Sequence, residues 1–262
     1  MTDQLYERLE QSLKALNLTV MPAHLDRLAR QAATENWSAF QFLDALTQTE
    51  LAGRTEQAVR RKLRQARFPF HKTLDEFDFA FQPSVHERQI RDLATLRFVA
   101  AAENILFLGP PGVGKTHLAV ALGMCAILQG MSVLFYALPD LLQQLDKDAK
   151  ANRLNQRLQA LARPQLLILD EIGYFSLDKR SAHFLFQLIS RRYQRGSILL
   201  TSNKSYTDWG DVFSDTVLAA ALLDRLLHQS VTVNIRGSSY RLNDNLKVST
   251  APLPPKEGET SP

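Results

Sequence analysis

A chain of 262 residues, 45% hydrophobic and 22% charged, can bury one substantial core with a smaller domain beside it, which excludes disorder as a global description. Its net charge of +4 is too mild to argue for a nucleic-acid ligand by itself, and a single cysteine, Cys125, excludes both a disulfide framework and a cysteine-based zinc site. No apolar run approaches the roughly 18 residues that span a bilayer, and the opening MTDQLYERLEQSL lacks a signal-peptide core, so a cytoplasmic protein is expected.

Residues 1–67 carry helical periodicity. Leu5, Leu9, Leu13 and Leu16 recur every three or four positions, followed by Leu25 and Leu28 and then by Phe42, Leu43 and Leu46. This predicts a small all-α domain of three or four amphipathic helices. The last, RTEQAVRRKLRQARF, sets Arg54, Arg60, Arg61, Lys62, Arg64 and Arg67 against one acid, Glu56. Such a run is either a solvated helix face or a surface for phosphates or a partner. The aromatic connector FPFHKTLDEFDFAFQP follows, a domain boundary expected to pack back onto its surroundings.

From about residue 85 the texture changes. NILFL at 104–108, SVLFYA at 132–137, QLLILD at 165–170, SILLTS at 197–202 and VTVNI at 231–235 are short, continuous apolar runs with room for helices between them. Strands without polar alternation imply a parallel sheet covered on both faces, hence an α/β core over residues 68–248. Cys125, inside AVALGMCAIL, is expected to be a buried small hydrophobe. Residues 249–262, proline-rich and polar, are expected to form a disordered tail.

The first strand runs into GPPGVGKT, which fits G-x-x-x-x-G-K-[ST] between a predicted strand and a predicted helix. An anion bound there needs converging backbone N–H groups on a loop with few side chains in the way, backed by the positive end of a helix. Pro110 and Pro111 lack an N–H and stiffen the entry after Gly109, so the donors come from Gly112, Val113, Gly114, Lys115 and Thr116. Lys115 would reach the β- and γ-phosphates of a nucleoside triphosphate, and the Thr116 hydroxyl would ligate Mg²⁺. His117 borders this cradle as a helix residue rather than as a catalyst.

LLILDE places Asp170 at the C-terminal edge of a buried strand, opposite Thr116 across the expected cation. Glu171 follows, and a second carboxylate there is costly unless it faces a cation or water, which assigns it as the base for attacking water. Asn203, ending SILLTSN, either senses the γ-phosphate or caps the next turn. DTVLAAALLDRLLHQS predicts a helix from about Asp215 to His228 whose apolar face is Leu222, Leu223, Leu226 and Leu227. Arg225 near its end either compensates the helix dipole or acts in trans, as a finger on a neighbour's nucleotide. Between the second and third strands, LPDLLQQLDKDAKANRLNQRLQALARP supplies extra helix bearing Lys147, Lys150, Arg153, Arg157 and Arg163, a candidate DNA surface or a solvated face.

Together, LGPPGVGKTHLA, LLILDEIGY, LLTSNKS, LLDRLLHQS and GSSYRL resemble the IstB family of AAA+ ATPases, helpers of insertion-sequence transposition, with the DnaC and DnaI helicase loaders as relatives of the same core. The resemblance implies an ATP- and Mg²⁺-dependent ATPase that oligomerises with itself on duplex DNA, remodels that DNA, and recruits and activates a transposase. The alternative is a replicative helicase loader. It also implies that Gly109–Thr116 form the cradle, that Asp170 and Glu171 are the magnesium and base acids, that Asn203 is the sensor and Arg225 the trans finger, and that Arg241 is a second, sensor-like arginine. Initiator-type relatives line a DNA channel with an insertion between the second and third strands, which here holds Lys147, Lys150, Arg153 and Arg157; Arg60, Arg61 and Arg64 are further candidates. A C-terminal lid should be short or absent, since few residues follow Arg241.

Overall fold

The computed structural model describes residues 2–213 and 215–240. Arg241, the question of a lid and the proline-rich tail all fall outside them. The chain divides into two compact units between Arg64 and Gln65.

The N-terminal unit is built from α1 (Thr2–Ala15), α2 (Met21–Thr34) and α3 (Ala39–Ala66), the last running across the division. The basic stretch read as a separate helix is the C-terminal half of the 28-residue α3. Gly53 does not break that helix, because its bare backbone lies against Val20; a Cβ there would come within 2.6 Å of Val20 Cγ2. Met21, Leu25, Leu28 and Leu46 form a small core, with Leu13, Leu18, Trp37 and Phe42 packed around it. The expected apolar face is only partly used: Leu5, Leu9, Leu16 and Leu43 are exposed. The core engages α1 through Leu13, so the earlier turns of α1 pack little apolar surface within this unit.

Glu50, only 3% exposed, fixes how α2 begins. Its carboxylate accepts the amides of Thr19, Val20 and Met21 at 3.1, 2.8 and 2.8 Å, the orphan donors of a helix start, and Arg54 Nε lies 2.8 Å away. Burial pushes the carboxyl up, but the bonds from Met21, Arg54, Val20 and Thr19 outweigh it and hold Glu50 below the ordinary value.

In the larger unit two short helices, α4 (Glu87–Leu93) and α5 (Arg97–Ala100), lead into β1 (Asn104–Leu108) and α6 (Lys115–Leu128). Then come β2 (Val133–Ala137), α7 (Leu138–Lys150), α8 (Leu154–Ala162), β3 (Leu166–Ile172) and α9 (Lys179–Arg192). β4 (Ser197–Ser202), α10 (Trp209–Phe213), α11 (Thr216–Leu227) and β5 (Ser230–Asn234) complete the described elements apart from a 3-10 turn at Tyr206–Asp208. The five strands pair in parallel in the order β2-β3-β4-β1-β5. Each lies within a residue or two of its apolar run, because a strand covered on both faces has no polar face to show. β5, at the sheet edge, is half-buried along most of its length and departs from that reading.

Alternate residues of the sheet serve opposite layers. Leu106, Leu108, Leu167, Leu169, Ile198 and Leu200 join one core with residues of α7, α8, α9, α10 and α11. On the other face Ile168 reaches α6, where Gly123 leaves room for its Cδ1 and for Phe68 of the connector. Cys125 of α6 is half-buried rather than fully enclosed as expected. Arg192 is an unforeseen core residue, 1% exposed. Its guanidinium donates to the carbonyls of Leu161, Ala162, Pro164, Gln165 and Ser197, tying the end of α8 and the entry to β3 to the start of β4. Burial lowers its pKa to about 10, so it stays protonated at neutral pH.

Candidate active site

The sheet order places β1 between β5 and β4, and β3 beyond β4, so the loop leaving β1 is flanked by the tips of two strands on one side and one on the other. That loop turns three times through backbone open to glycine: Gly109, Gly112 and Gly114 have φ of 155°, 81° and 95°. Close approach also demands bareness at Gly109, where a Cβ would lie 2.2 Å from the Ile235 carbonyl oxygen, and at Gly114, where it would lie 2.6 Å from the Phe77 ring. α6 begins at Lys115, so its N-terminal amides open onto the loop.

Lys115 is 5% exposed, and its Nζ donates to the Gly109 and Pro110 carbonyls at 2.7 Å each, which holds the ammonium over the loop. Thr116 Oγ1 donates toward both oxygens of Asp170 at 3.0 Å. Asp170 is 5% exposed. Burial pushes its carboxyl above the usual range, against the lowering from the hydroxyls of Thr201 and Thr116 and the Lys115 ammonium. A buried carboxylate facing a hydroxyl suits a cation. The 3.0 Å separation is about that of adjacent oxygens around Mg²⁺, which takes ligands at about 2.1 Å and usually keeps only one or two from protein. Among the described residues there is no cluster of three or more His, Cys, Asp or Glu side chains that could hold a metal by itself.

Glu171 sits on a bulge. β3 and β4 run in register up to Leu169 opposite Leu200, and then Ile172 stands opposite Ser202, so β3 carries one residue more than its partner. Glu171 takes up the difference with φ of 66°, a left-handed conformation costly for a residue with a Cβ. Its amide donates to Thr201 Oγ1 at 3.1 Å, and that hydroxyl in turn donates to Asp170 Oδ1. In a regular strand neighbours point to opposite faces, and the bulge allows Glu171 to line the cavity while Asp170 meets two hydroxyls that also line it.

The cavity holds about 260 Å³ and is walled by the loop and α6 start, by Glu171 and Thr201, by connector residues including Phe77 and Gln82, and by Tyr240. The connector is latched down. His117 Nε2 lies 2.8 Å from the Thr73 carbonyl oxygen, which can only accept, so the ring carries a proton there; burial lowers its pKa below the ordinary histidine value. The His117 ring meets Phe77 edge-on at 5.3 Å. Beyond β5, Tyr240 N donates to the Gly112 carbonyl at 3.0 Å, and the Tyr240 ring meets Phe81 edge-on at 5.1 Å.

Lys115, Thr116, Asp170 and Glu171 are therefore brought together. Asn203, just past β4, is not among the cavity-lining residues; its buried Oδ1 has no partner among the described residues and lies beside Gly173. Arg225 is in the last turn of α11, a helix started by Asp215, whose carboxylate accepts the amides of Val217 and Leu218. Its guanidinium lies 4.5 Å from the centre of the Phe186 ring and donates to the Ala221 carbonyl, away from this chain's own cavity. Of the candidate DNA-binding residues, Lys150 pairs with Asp146 at 2.6 Å and Arg153 lies 3.6 Å from Asp148. Arg157 is turned inward, donating to Tyr136 Oη at 2.7 Å and to Gln144 Oε1. Lys147, Arg60, Arg61 and Arg64 are at least partly exposed, with Arg60 2.6 Å from Glu56. Sequence reasoning does not single out Thr201, Gln82 or Tyr240. The polar pair ending SILLTS and the dense aromatics just ahead of the loop strand are the available signals.

A five-stranded parallel sheet in this order, with the phosphate loop after its fourth strand in space and the Asp-Glu pair two strands away, defines a P-loop nucleotide-binding protein of AAA+ type. A sequence model of the IstB-like ATP-binding protein family matches residues 11–248, and the chain belongs to that family. It is 45% identical over 238 residues to the putative ATP-binding protein of insertion sequence IS5376 from Geobacillus stearothermophilus, covering 91% of this chain and 95% of the relative. It is 47% identical over 239 residues to the corresponding protein of IS21 from Pseudomonas aeruginosa, covering 91% and 90%. Among solved structures it is similar to DnaI, with a TM-score of 0.53 at 21% identity over 67% of this chain and 93% of that one. It is also similar to the replication initiator DnaA, with a TM-score of 0.54 at 21% identity over 70% and 56%. These two likenesses concern the fold. No helix among the described residues is long and apolar enough to cross a membrane.

Proposed function

We propose that this ATP-binding protein hydrolyses ATP with Mg²⁺, assembles through ATP with copies of itself on duplex DNA, and in that form remodels target DNA and recruits and activates the transposase of its insertion sequence. The observation that carries the hydrolytic reading is the bulge at Glu171, which spends backbone strain to bring the carboxylate next in sequence to Asp170 into the cavity lined by Lys115 and Thr116. The amides of Gly112–Thr116 grip the phosphates, and Lys115 exchanges its loop carbonyls for β- and γ-phosphate oxygens. Thr116 and Asp170 would hold Mg²⁺, which would supply positive charge against the phosphate oxygens.

Glu171 takes a proton from water as the water oxygen bonds to the γ-phosphorus. The bond to the bridging oxygen breaks, and ADP leaves with the electron pair. Asn203 turns its amide from Gly173 toward the γ-phosphate, and Arg225 of a neighbouring copy meets the charge that builds there. Arg241 has the second sensor role. Phosphate contacts to DNA come from Lys147, Lys150 and Arg153 and from Arg60, Arg61 and Arg64, with Arg157 supporting the helix pair from within. Domain limits of 1–67, 68–248 and 249–262 go with this reading.

The test is Glu171→Gln. It should bind ATP as tightly as the unaltered protein, lose hydrolysis by about 10²-fold or more, and hold DNA-bound assemblies together longer. Unchanged turnover would remove Glu171 from the mechanism. DNA affinity should fall steeply with salt and vary little with sequence. Affinity that is flat from low to moderate salt would remove the phosphate contacts.

A further inference from the structure

The cavity has a reactive end and another end, and the sheet order says which is which. Glu171 and Thr201 come from β3 and β4 on one flank of β1, while the segment after β5 lies on the other. A triphosphate whose γ-phosphate faces Glu171 therefore carries its base toward the β5 flank. There the connector and the post-β5 segment are joined through Gln82, which is 2% exposed and lines the cavity.

The Gln82 amide is half used. Nε2 donates to the Ser238 carbonyl at 2.9 Å, and because that carbonyl can only accept, the orientation of the amide is fixed. Oε1 is buried and has no donor among the described residues. Gly237 leaves it space, since a Cβ at that position would lie 2.6 Å from Oε1. A buried acceptor without a donor is costly unless a ligand supplies one.

We infer that Gln82 reads the 6-position of the purine, Oε1 accepting a hydrogen bond from the exocyclic amine of adenine. Guanine presents an oxygen at that position, so two acceptors would face each other; a purine with hydrogen there leaves Oε1 unpaired. The inference rests on the ATP-binding reading and makes Gln82 a specificity-determining residue of the same site.

The experiment titrates the full chain, with Mg²⁺ present, against ATP, GTP and purine riboside triphosphate, which lacks a 6-substituent. The unaltered protein should prefer ATP to purine riboside triphosphate by about tenfold, the effect of one hydrogen bond to a buried neutral group. Gln82→Leu should bind ATP and purine riboside triphosphate about equally, whatever its absolute affinity. Gln82→Glu keeps an acceptor but loses the Ser238 bond, and should keep the preference. An unaltered protein that binds ATP and purine riboside triphosphate alike overturns the inference, as does a Gln82→Leu protein that still prefers ATP. Loss of preference in both variants assigns the effect to the Ser238 tie and overturns the acceptor role. Failure of the unaltered protein to bind any of the three nucleotides would instead overturn the ATP-binding reading.

Discussion

Thr201 holds Asp170 and Glu171 in their places with one hydroxyl, donating to the Asp170 carboxylate while accepting the Glu171 amide. A single side chain on β4 thus orients the acid assigned to the cation and stabilises the bulge that aims the acid assigned to water. Thr201→Val keeps the shape and removes both bonds. We expect ATP hydrolysis to fall about 10- to 100-fold, ATP affinity to change little, and stability to drop by about 1–3 kcal/mol from the unpaired buried groups. Thr201→Ser should restore most of the activity. Steady-state kinetics and thermal unfolding of the three proteins check this, and a valine variant with full turnover would separate the bulge from catalysis.

Arg192 makes a different kind of claim, about folding. It lies in the core with five carbonyl acceptors, and among the described residues no acid pairs with it. Replacing it with methionine fills similar space and leaves those carbonyls without a donor. A loss of about 3 kcal/mol or more is expected, because each buried unpaired acceptor costs about 1–3 kcal/mol and relaxation recovers part of the sum. Arg192→Lys should recover little, since one ammonium cannot reach carbonyls spread from Leu161 to Ser197. Chemical denaturation measures both.

Glu50 gives the N-terminal unit a pH dependence with a definite sign. Its folded pKa lies below the ordinary 4.5, so its contribution is complete above that value and is lost as pH falls through the lowered folded value. Amide exchange at Thr19, Val20 and Met21 should therefore accelerate beyond the intrinsic acid trend as pH drops below about 4.5. Glu50→Gln should exchange faster already at neutral pH and show a flatter profile. Identical profiles would show that the cap does not govern the start of α2.

The sheet and the phosphate loop are legible in the sequence for opposite reasons. β1, β3 and β4 read as continuous apolar runs because helices cover both faces, and Gly109–Thr116 read as a cradle because all the chemistry lies within eight consecutive residues. Thr201 and Gln82 are not legible because each acts on residues that only the fold brings near: Asp170 is 31 positions from Thr201, and Ser238 is 156 from Gln82. The leucines of α1 show the limit of periodicity. Spacing puts Leu5, Leu9 and Leu13 on one face, but what covers that face is a tertiary fact, and only Leu13 packs against the small core. The expectation for Cys125 fails in the same way, since its apolar neighbours say nothing of the outer turn of α6.

The role proposed for Arg225, on the nucleotide of a neighbouring copy, can be tested through its surroundings. Its guanidinium rests over Phe186 and touches one carbonyl, with no carboxylate within salt-bridge distance among the described residues. Arg225→Ala should bind ATP normally and hydrolyse it about 10³-fold more slowly. Phe186→Leu, which removes the aromatic face but keeps the arginine, should cost less, about tenfold, with little change in the KM for ATP. Phe186→Tyr should behave as the unaltered protein. Turnover of Phe186→Leu equal to that of the unaltered protein would leave the ring a packing role only.

Mixing two inactive variants tests the proposed sharing of a site between copies most directly. Arg225→Ala keeps Glu171, and Glu171→Gln keeps Arg225, so an interface with the first as nucleotide holder and the second as neighbour has every group it needs. With ATP, Mg²⁺ and duplex DNA, an equimolar mixture should recover roughly a quarter of the unaltered turnover, the fraction of head-to-tail contacts of that composition under random assembly. A mixture as inactive as its two components, at every ratio, would contradict the account.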